Sequence, residues 1–176
     1  MTNKRKVSVY IATSVDGYIA TTDDSLDWLF RGEIEGDAGY SEFYEGIDTV
    51  LIGRRTYDWF MEQEKGNYPY KGIESYVFTK TPVENTDYVT FINEDIATFT
   101  RELKQQEGKT IWLVGGSEIV YTLMREKLVD EFIISVAPSL LGKGIPLFKE
   151  SEIEADLVLK DVKQFGQFAQ LHYEMK

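Results

Sequence analysis

A chain of 176 residues with 43% hydrophobic and 28% charged residues carries enough apolar side chain to bury one core, and residues 1–176 are read as a single domain. A net charge of −11 and a pI near 4.6 exclude sequence-independent binding to nucleic acid or to an anionic membrane surface, because phosphate repels such a chain. With no cysteine there is no disulfide framework, thiolate zinc site or Cys nucleophile, and the single histidine, His172, cannot build a His-rich metal site, so no metal is expected.

The chain opens on the basic stretch Met1–Lys6, and the apolar run behind it turns polar by Thr13. That is neither a signal peptide nor a membrane span, and a cytoplasmic location is expected. Val7 to Ala12 reads as a strand, apolar on both faces and therefore central. Thr13 to Asp24 reads as a polar loop around the turn dipeptide Asp16-Gly17, with Asp16 supplying turn chemistry and Gly17 allowing the loop to move. Asp37 to Gly46 has a helical spacing at Tyr40, Phe43 and Tyr44. Thr49 to Ile52 is a second buried strand, followed by Gly53 and a helix from Arg55 to Met61. Ser75 to Phe78 is a third strand, closed by Thr79-Lys80-Thr81-Pro82, and Tyr88 to Ile92 is a short fourth.

Asn93 is placed to cap a helix from Glu94 to Gln106, with Gly108 just past its end. The buried strand Ile111–Val114 runs through Gly115-Gly116 into a helix from Ser117 to about Lys127, and Glu131 to Val136 is another apolar strand. Pro138 to Phe148 reads as a loop. Leu157–Phe165 and Phe168–Met175 alternate, and Gly166-Gln167 between them signals a hairpin at one edge of the sheet, where His172 lies. Strands alternating with helices define an α/β chain with a mostly parallel sheet covered on both faces.

Two glycines at a strand-to-helix switch let backbone approach a ligand, while the helix behind them presents free N–H groups and a positive dipole end. A nucleotide pyrophosphate is the common guest there, and a tight turn without ligand is the alternative. Gly115-Gly116 is not a G-x-G-x-x-G fingerprint, so a standard Rossmann assignment is not licensed. A second strand–turn–helix at Gly53-Arg54-Arg55-Thr56 strengthens the ligand reading.

Taken together, these motifs carry a family resemblance. Ser14-Val15-Asp16-Gly17-Tyr18-Ile19-Ala20 resembles the mobile active-site loop of the dihydrofolate reductase superfamily. Gly53-Arg54-Arg55-Thr56-Tyr57 resembles its Gly-Arg-x-Thr cofactor turn, and Val114-Gly115-Gly116-Ser117 its nicotinamide–pyrophosphate turn. The run Pro138–Phe148 is similar to the reductase domain of the bifunctional riboflavin-biosynthesis deaminase/reductase. The resemblance implies a three-layer α/β/α fold with a mixed sheet, NADPH as hydride donor, a small heterocyclic substrate and a homodimer. Riboflavin-type members reduce a ribosylamino group on a phosphorylated pyrimidine, so the implied activity is that of a 5-amino-6-(5-phosphoribosylamino)uracil reductase, an NADPH-dependent oxidoreductase acting on a CH–NH or related group. Deaminase chemistry is excluded here, because its zinc signature needs paired Cys. Reduction of a pterin or another small heterocycle, and nucleotide binding without turnover, are the alternatives.

The resemblance also implies roles. Gly53, Val114, Gly115, Gly116 and Ser117 would border the cofactor, with Ala12 and Ile19 flanking the nicotinamide or simply filling the core. Arg54 and Arg55 suit a 2′-phosphate, with Thr56 as a hydroxyl donor and Thr79 and Lys80 closing from the neighbouring strand; solvated surface charges are the alternative. Glu118 would point outward or meet a ribose hydroxyl, and Lys143 would meet a substrate phosphate or water. For the proton, Asp37 is the first candidate and Asp27 the second, each as a half-buried carboxylate with a raised pKa; Asp37 as a helix N-cap is the competing account. Trp28, Phe43, Tyr57 and Phe60 would stack on substrate or pack in the core.

Overall fold

The apolar runs of the sequence become the middle strands of one eight-stranded sheet. The computed structural model describes residues 4–176, so the first three residues of the basic opening stretch lie outside the described residues. In chain order the strands are β1 (Val7–Thr13), β2 (Tyr18–Ala20), β3 (Ile47–Gly53), β4 (Glu74–Phe78), β5 (Thr90–Ile92), β6 (Thr110–Gly115), β7 (Glu131–Val136), β8 (Ile145–Pro146), β9 (Leu157–Phe165) and β10 (Phe168–Met175). The helices are α1 (Tyr40–Glu45), α2 (Arg54–Gln63), α3 (Ile96–Gln105) and α4 (Ser117–Arg125), with a 3-10 turn at Asp27–Arg31. The large sheet runs β5-β4-β3-β6-β1-β7-β10-β9, parallel from β5 to β7, with β10 antiparallel to both β7 and β9.

Residues of the central strands alternate between two cores, as the two-residue period of a strand covered on both faces requires. On β6, Ile111 and Leu113 join Val9, Leu51 and Phe132 beneath α3 and α4, where Leu103, Ile119 and Leu123 are buried. Trp112 and Val114 join Val50, Ile52 and Val77 beneath α1 and α2, with Tyr57 buried and Phe43 and Phe60 packed alongside. Tyr10 stacks on Phe43 with ring centroids 4.1 Å apart, and the Trp112 indole N–H donates to the Tyr10 carbonyl at 3.1 Å. Trp28 is buried with Ala137 and Phe168 in a third, smaller cluster. Trp28, Phe43, Tyr57 and Phe60 are thus core or core-packed side chains.

Buried charges pin the other end of the sheet. Arg5 is buried and pairs with Asp48, while its guanidinium also donates to Thr49 Oγ1 and the Lys109 carbonyl at 2.8 Å each. Lys104 is buried against Asp130 and donates to the Leu128 carbonyl at 3.2 Å. An unpaired charge there would cost several kcal/mol, roughly 3–5, so each cation is held by a carboxylate and a carbonyl together.

Three expectations are corrected. Asp95, not Asn93, caps α3: its carboxylate accepts from Thr98 N and Thr98 Oγ1, both at 2.8 Å, and the helix starts at Ile96. With its amide oriented to satisfy both ends, Asn93 instead donates to the carbonyls of Thr79 and Lys80, bracing the turn after β4. His172 is not on the edge, because β10 lies between β7 and β9 and β9 is the edge strand. The segments read wholly as loops contain β2 and β8, which pair with each other. No local pattern announces two- and three-residue strands whose partners lie more than a hundred residues apart. Among the described residues, no helix is long and apolar enough to cross a membrane.

Gly144, at φ +159°, passes so close to β2 that a Cβ there would run into the Ala20 carbonyl oxygen. Gly144→Ala is expected to separate β8 from β2 while leaving the large sheet intact. The check is tryptic cleavage at the exposed Lys143, faster than wild type with an unchanged far-ultraviolet spectrum; equal cleavage rates would refute it.

Candidate active site

The C-terminal ends of β4, β3, β6 and β1 lie side by side, and each delivers one of the segments singled out in the sequence. Gly53 is paired with Phe78 on one side, so Thr79 and Lys80 follow beside it. On the other side Ile52 is paired with Gly115. A Cβ on Gly53 would lie 3.4 Å from both the Gly115 carbonyl oxygen and the Gly116 nitrogen, and one on Gly116 would lie 3.3 Å from Thr56 Oγ1. Gly115 has φ +130°, outside the range of ordinary side-chain-bearing residues, and the Gly115-Gly116 peptide is cis. The two turns therefore meet backbone to backbone.

From that junction α2 leaves over one face of the sheet and α4 over the other. This is the crevice at a topological switch point, where open α/β sheets hold ligands. Gly53 and Gly116 occupy the N-cap positions of α2 and α4, and neither helix has a side-chain cap. The first-turn N–H groups of both helices consequently point into the crevice as donors without side-chain partners, in the field of two positive dipole ends.

The cations of the adjoining segments stand each in its own setting. Arg54 donates to Asp58 one turn along α2 at 2.8 Å and lies over the Phe91 ring at 5.8 Å. Arg55 donates to both oxygens of Asp24 at 2.9 and 2.8 Å. Lys80 is exposed. The Arg54 and Asp58 side chains are 40% and 53% exposed and that of Arg55 is 73% exposed, so each pair is worth about 0–1 kcal/mol at most. A doubly charged phosphate gains more from the same guanidinium than an exposed carboxylate does, so these pairs do not close the site to an anion. Thr79 is buried, and its hydroxyl donates to the Thr81 carbonyl at 3.0 Å, which makes it part of the turn. Asp24 and Phe91, the partners of the two arginines, carry no sequence signal: one lies in a polar loop and the other in a short edge strand.

Ala12 and Ile19 border the same end. Ala12 is half-buried on β1 opposite Ser135, and Ile19 on β2 packs against the core beneath α3 and α4. Glu118 is exposed at the start of α4 and accepts from Lys149 Nζ at 2.6 Å, which turns it away from the crevice. Val114 is buried below the turn, and Ser117 is half-buried at the first position of α4. Lys143 is exposed in the loop before β8.

Neither candidate proton donor sits in the environment expected of it. Asp37 is exposed, and its carboxylate accepts from Gly39 N at 3.0 Å and Ser41 N at 2.9 Å at the start of α1. Hydrogen bonds from Ser41, side chain then backbone, hold its pKa below the ordinary carboxylate value. Gly39, not Asp37, holds the N-cap position of α1, so Asp37 braces the turn that leads into the helix, and a half-buried carboxylate with a raised pKa is absent at this position. Asp27 opens the 3-10 turn and is exposed too.

His172 Nε2 lies 3.0 Å from the buried Glu131, and Glu174 completes a trio of ligand-type side chains. Lys6 Nζ sits 2.9 Å from Glu174 and 3.5 Å from Glu131. The hydrogen bond that Lys6 donates to Glu174 raises the Lys6 pKa, so the chain's own ammonium balances these carboxylates.

A mostly parallel sheet with a helix-flanked switch point and an antiparallel hairpin is the dihydrofolate reductase-like α/β class. Dihydrofolate reductase of Enterococcus faecalis, in complex with NADP(H), shares that fold at a TM-score of 0.64 and 15% identity, over 97% of this chain and 96% of that one. The RibD C-terminal domain model matches residues 5–171, and this chain belongs to that reductase-type family. The uncharacterized protein YwjB of Bacillus subtilis (strain 168) is 51% identical over 171 residues, covering 97% of this chain and 98% of its own. A structure from Shewanella sp. PV-4, of a protein assigned to riboflavin biosynthesis, superposes with a TM-score of 0.88 at 28% identity over 97% and 99% of the two chains.

The depressed pKa makes a testable statement about Asp37. Its contribution to stability is fully present above the unfolded-chain carboxylate pKa and is lost as pH falls through the lower folded value. A carboxyl NMR titration is expected to find its midpoint below that of a free Asp, with no limb near neutral pH; a midpoint at or above the ordinary value would overturn this assignment.

Proposed function

We propose that this protein is an NADPH-dependent reductase of a small heterocycle, resembling the 5-amino-6-(5-phosphoribosylamino)uracil reductase of riboflavin biosynthesis and acting on a CH–NH or related group. One observation carries the reading: two uncapped helix N-termini meet on a glycine junction that a single Cβ would fill. Such a junction suits a pyrophosphate, whose oxygens need N–H donors at close range. The amides after Gly116 and Gly53 would hold it, with Thr56 adding a hydroxyl. Arg54, Arg55 and Lys80 would serve the outer end of the crevice, where a 2′-phosphate would lie. Ala12 and Ile19 would border the nicotinamide, which supplies a hydride when bound. The protein's task is then to orient the ring and to exclude water around it. Membership of a reductase-type family supports the same reading.

A homodimer is part of this proposal. The helices cover the β3, β4 and β6 region, whereas at the far end of the sheet Leu157, Leu159 and Val162 of edge strand β9 are exposed. Register places Leu171 and Tyr173 of β10 on the same face as Val162 and Leu159. An open edge with an apolar face is an aggregation hazard unless covered, and a second copy related by a two-fold axis would cover both features at once. Phe168 belongs to the opposite face and is buried with Trp28, so it takes no part. Leu159→Lys combined with Val162→Lys is expected to give a folded monomer by sedimentation. A wild-type protein that sediments as a monomer would refute the dimer.

The cofactor is tested by thermal shift with NADPH and NADH in parallel. A ligand that binds only the folded state adds about 2.7 kcal/mol of stability at a hundredfold excess over its Kd. Arg54→Ala with Lys80→Ala is expected to weaken NADPH by about tenfold or more and NADH little, since only NADPH carries the extra phosphate. Equal losses would show that neither side chain reads it. No shift with either nucleotide would overturn the reductase reading, and binding without turnover on pyrimidine or pterin substrates would favour a nucleotide-binding protein.

A further inference from the structure

The turn after β1 is fastened to a segment 125 residues away, and one carboxylate makes the side-chain part of that fastening. Asp16 accepts from Ser14 Oγ at 2.6 Å, from Gly142 N at 2.7 Å and from Leu141 N at 3.2 Å. Ser14 is itself buried, and its Oγ accepts from Tyr18 N at 3.0 Å, so the hydroxyl relays the carboxylate into the turn. Backbone bonds run alongside: Val15 N donates to the Ser139 carbonyl at 2.8 Å, and Leu147 N to the Gly17 carbonyl at 3.0 Å. The pairing of β2 with β8 continues the same seam.

An aspartate that only shaped its own turn would bond to its immediate neighbours. Two of the three donors to Asp16 instead belong to the distant loop. An exposed carboxylate spanning two chain segments must offset the entropy of ordering both, and charge-assisted bonds to backbone N–H groups are the stronger kind. The Ser14 hydroxyl and then the Gly142 and Leu141 amides also hold the Asp16 pKa below its ordinary value, as expected where the ionised form is the one being bound.

The consequence lies on either side of the clamp. Ala12 and Thr13 precede the turn at the end of β1, and Ile19 follows it on β2. On the other loop, Leu141 packs on the cluster of Trp28, whose indole N–H is buried without a partner. The carboxylate thus sets the position of residues that border the crevice and of the loop that packs Leu141 on the Trp28 cluster. We propose that Asp16 is a positioning residue: its carboxylate clamps the Ser14–Tyr18 turn to Ser139–Gly142, so that the two loops move as one unit beside the cofactor crevice. The inference rests on the reductase reading for what lies in the crevice, and on geometry alone for the clamp.

The test pairs backbone amide exchange with nucleotide titration in Asp16→Ala and Asp16→Asn. In Asp16→Ala, the amides of Leu141 and Gly142 are expected to exchange at least about tenfold faster, together with that of Val15, at a nearly unchanged melting temperature. NADPH affinity is expected to fall by about tenfold. Asp16→Asn keeps one acceptor oxygen and should lie between the two. Faster exchange confined to residues 14–18 would overturn the clamp. Loosened distant amides with unchanged NADPH affinity would overturn the positioning role. Wild-type protein that binds no nicotinamide nucleotide, with the exchange pattern as expected, would fail the reductase reading and with it the positioning role, while the clamp itself would stand.

Discussion

The close approach of β3 to β6 at their C-terminal ends is the constraint on which the site depends. A Cβ on Gly53 would meet backbone at 3.4 Å and one on Gly116 would meet Thr56 at 3.3 Å, while Gly115 is set apart by its φ of +130°. That space is left open by glycine on both strands, at a conformational cost that the packing of the central sheet must outweigh. Val50, Leu51, Ile52, Ile111 and Leu113 immediately behind the turns are fully excluded from solvent. Burial of side chains of that size contributes about 1.5–3 kcal/mol each, so the junction is held by the strands leading into it and needs no contact of its own.

Electrostatics follow from the same junction. A chain of net charge −11 repels anions at long range, yet two helix N-termini meet at the junction. The dipoles act within one turn of the helix ends, where screening by salt is least effective, so a local anion site is compatible with an acidic surface. The arginines are held meanwhile by the exposed Asp58 and the half-buried Asp24, in pairs weak enough to exchange for a phosphate. The loops beside the crevice are organised differently: there the anchor is an anion, Asp16, and the donors are backbone amides.

The parts of this structure that repeat locally were legible from residue order. The strand Glu131–Val136 and the hairpin 157–165 with 168–175 occur where their alternation predicts them, because a two-residue period and a Gly-Gln turn are properties of neighbours in sequence. The three turn segments at Gly53, Thr79 and Gly115 likewise follow buried strands whose ends are marked by glycine or polar residues. Asn93 illustrates the limit: a good capping residue two positions before the real cap, it was drawn instead to the carbonyls of Thr79 and Lys80.

What the sequence determined by itself is the strands of the large sheet and the four helices, the family, and the residue types that stand at each strand end. Tertiary structure decided which ends meet, because adjacency in a sheet is set by strand order and strand order is not a local property. It decided that Asp37 is a solvent-facing brace of the turn before α1, since burial depends on what packs above a residue and not on its spacing from Gly53. It also decided that Asp16 reaches Leu141 and Gly142. A carboxylate can read only donors within about 3 Å, and no spacing in the chain announces two loops folded to that distance.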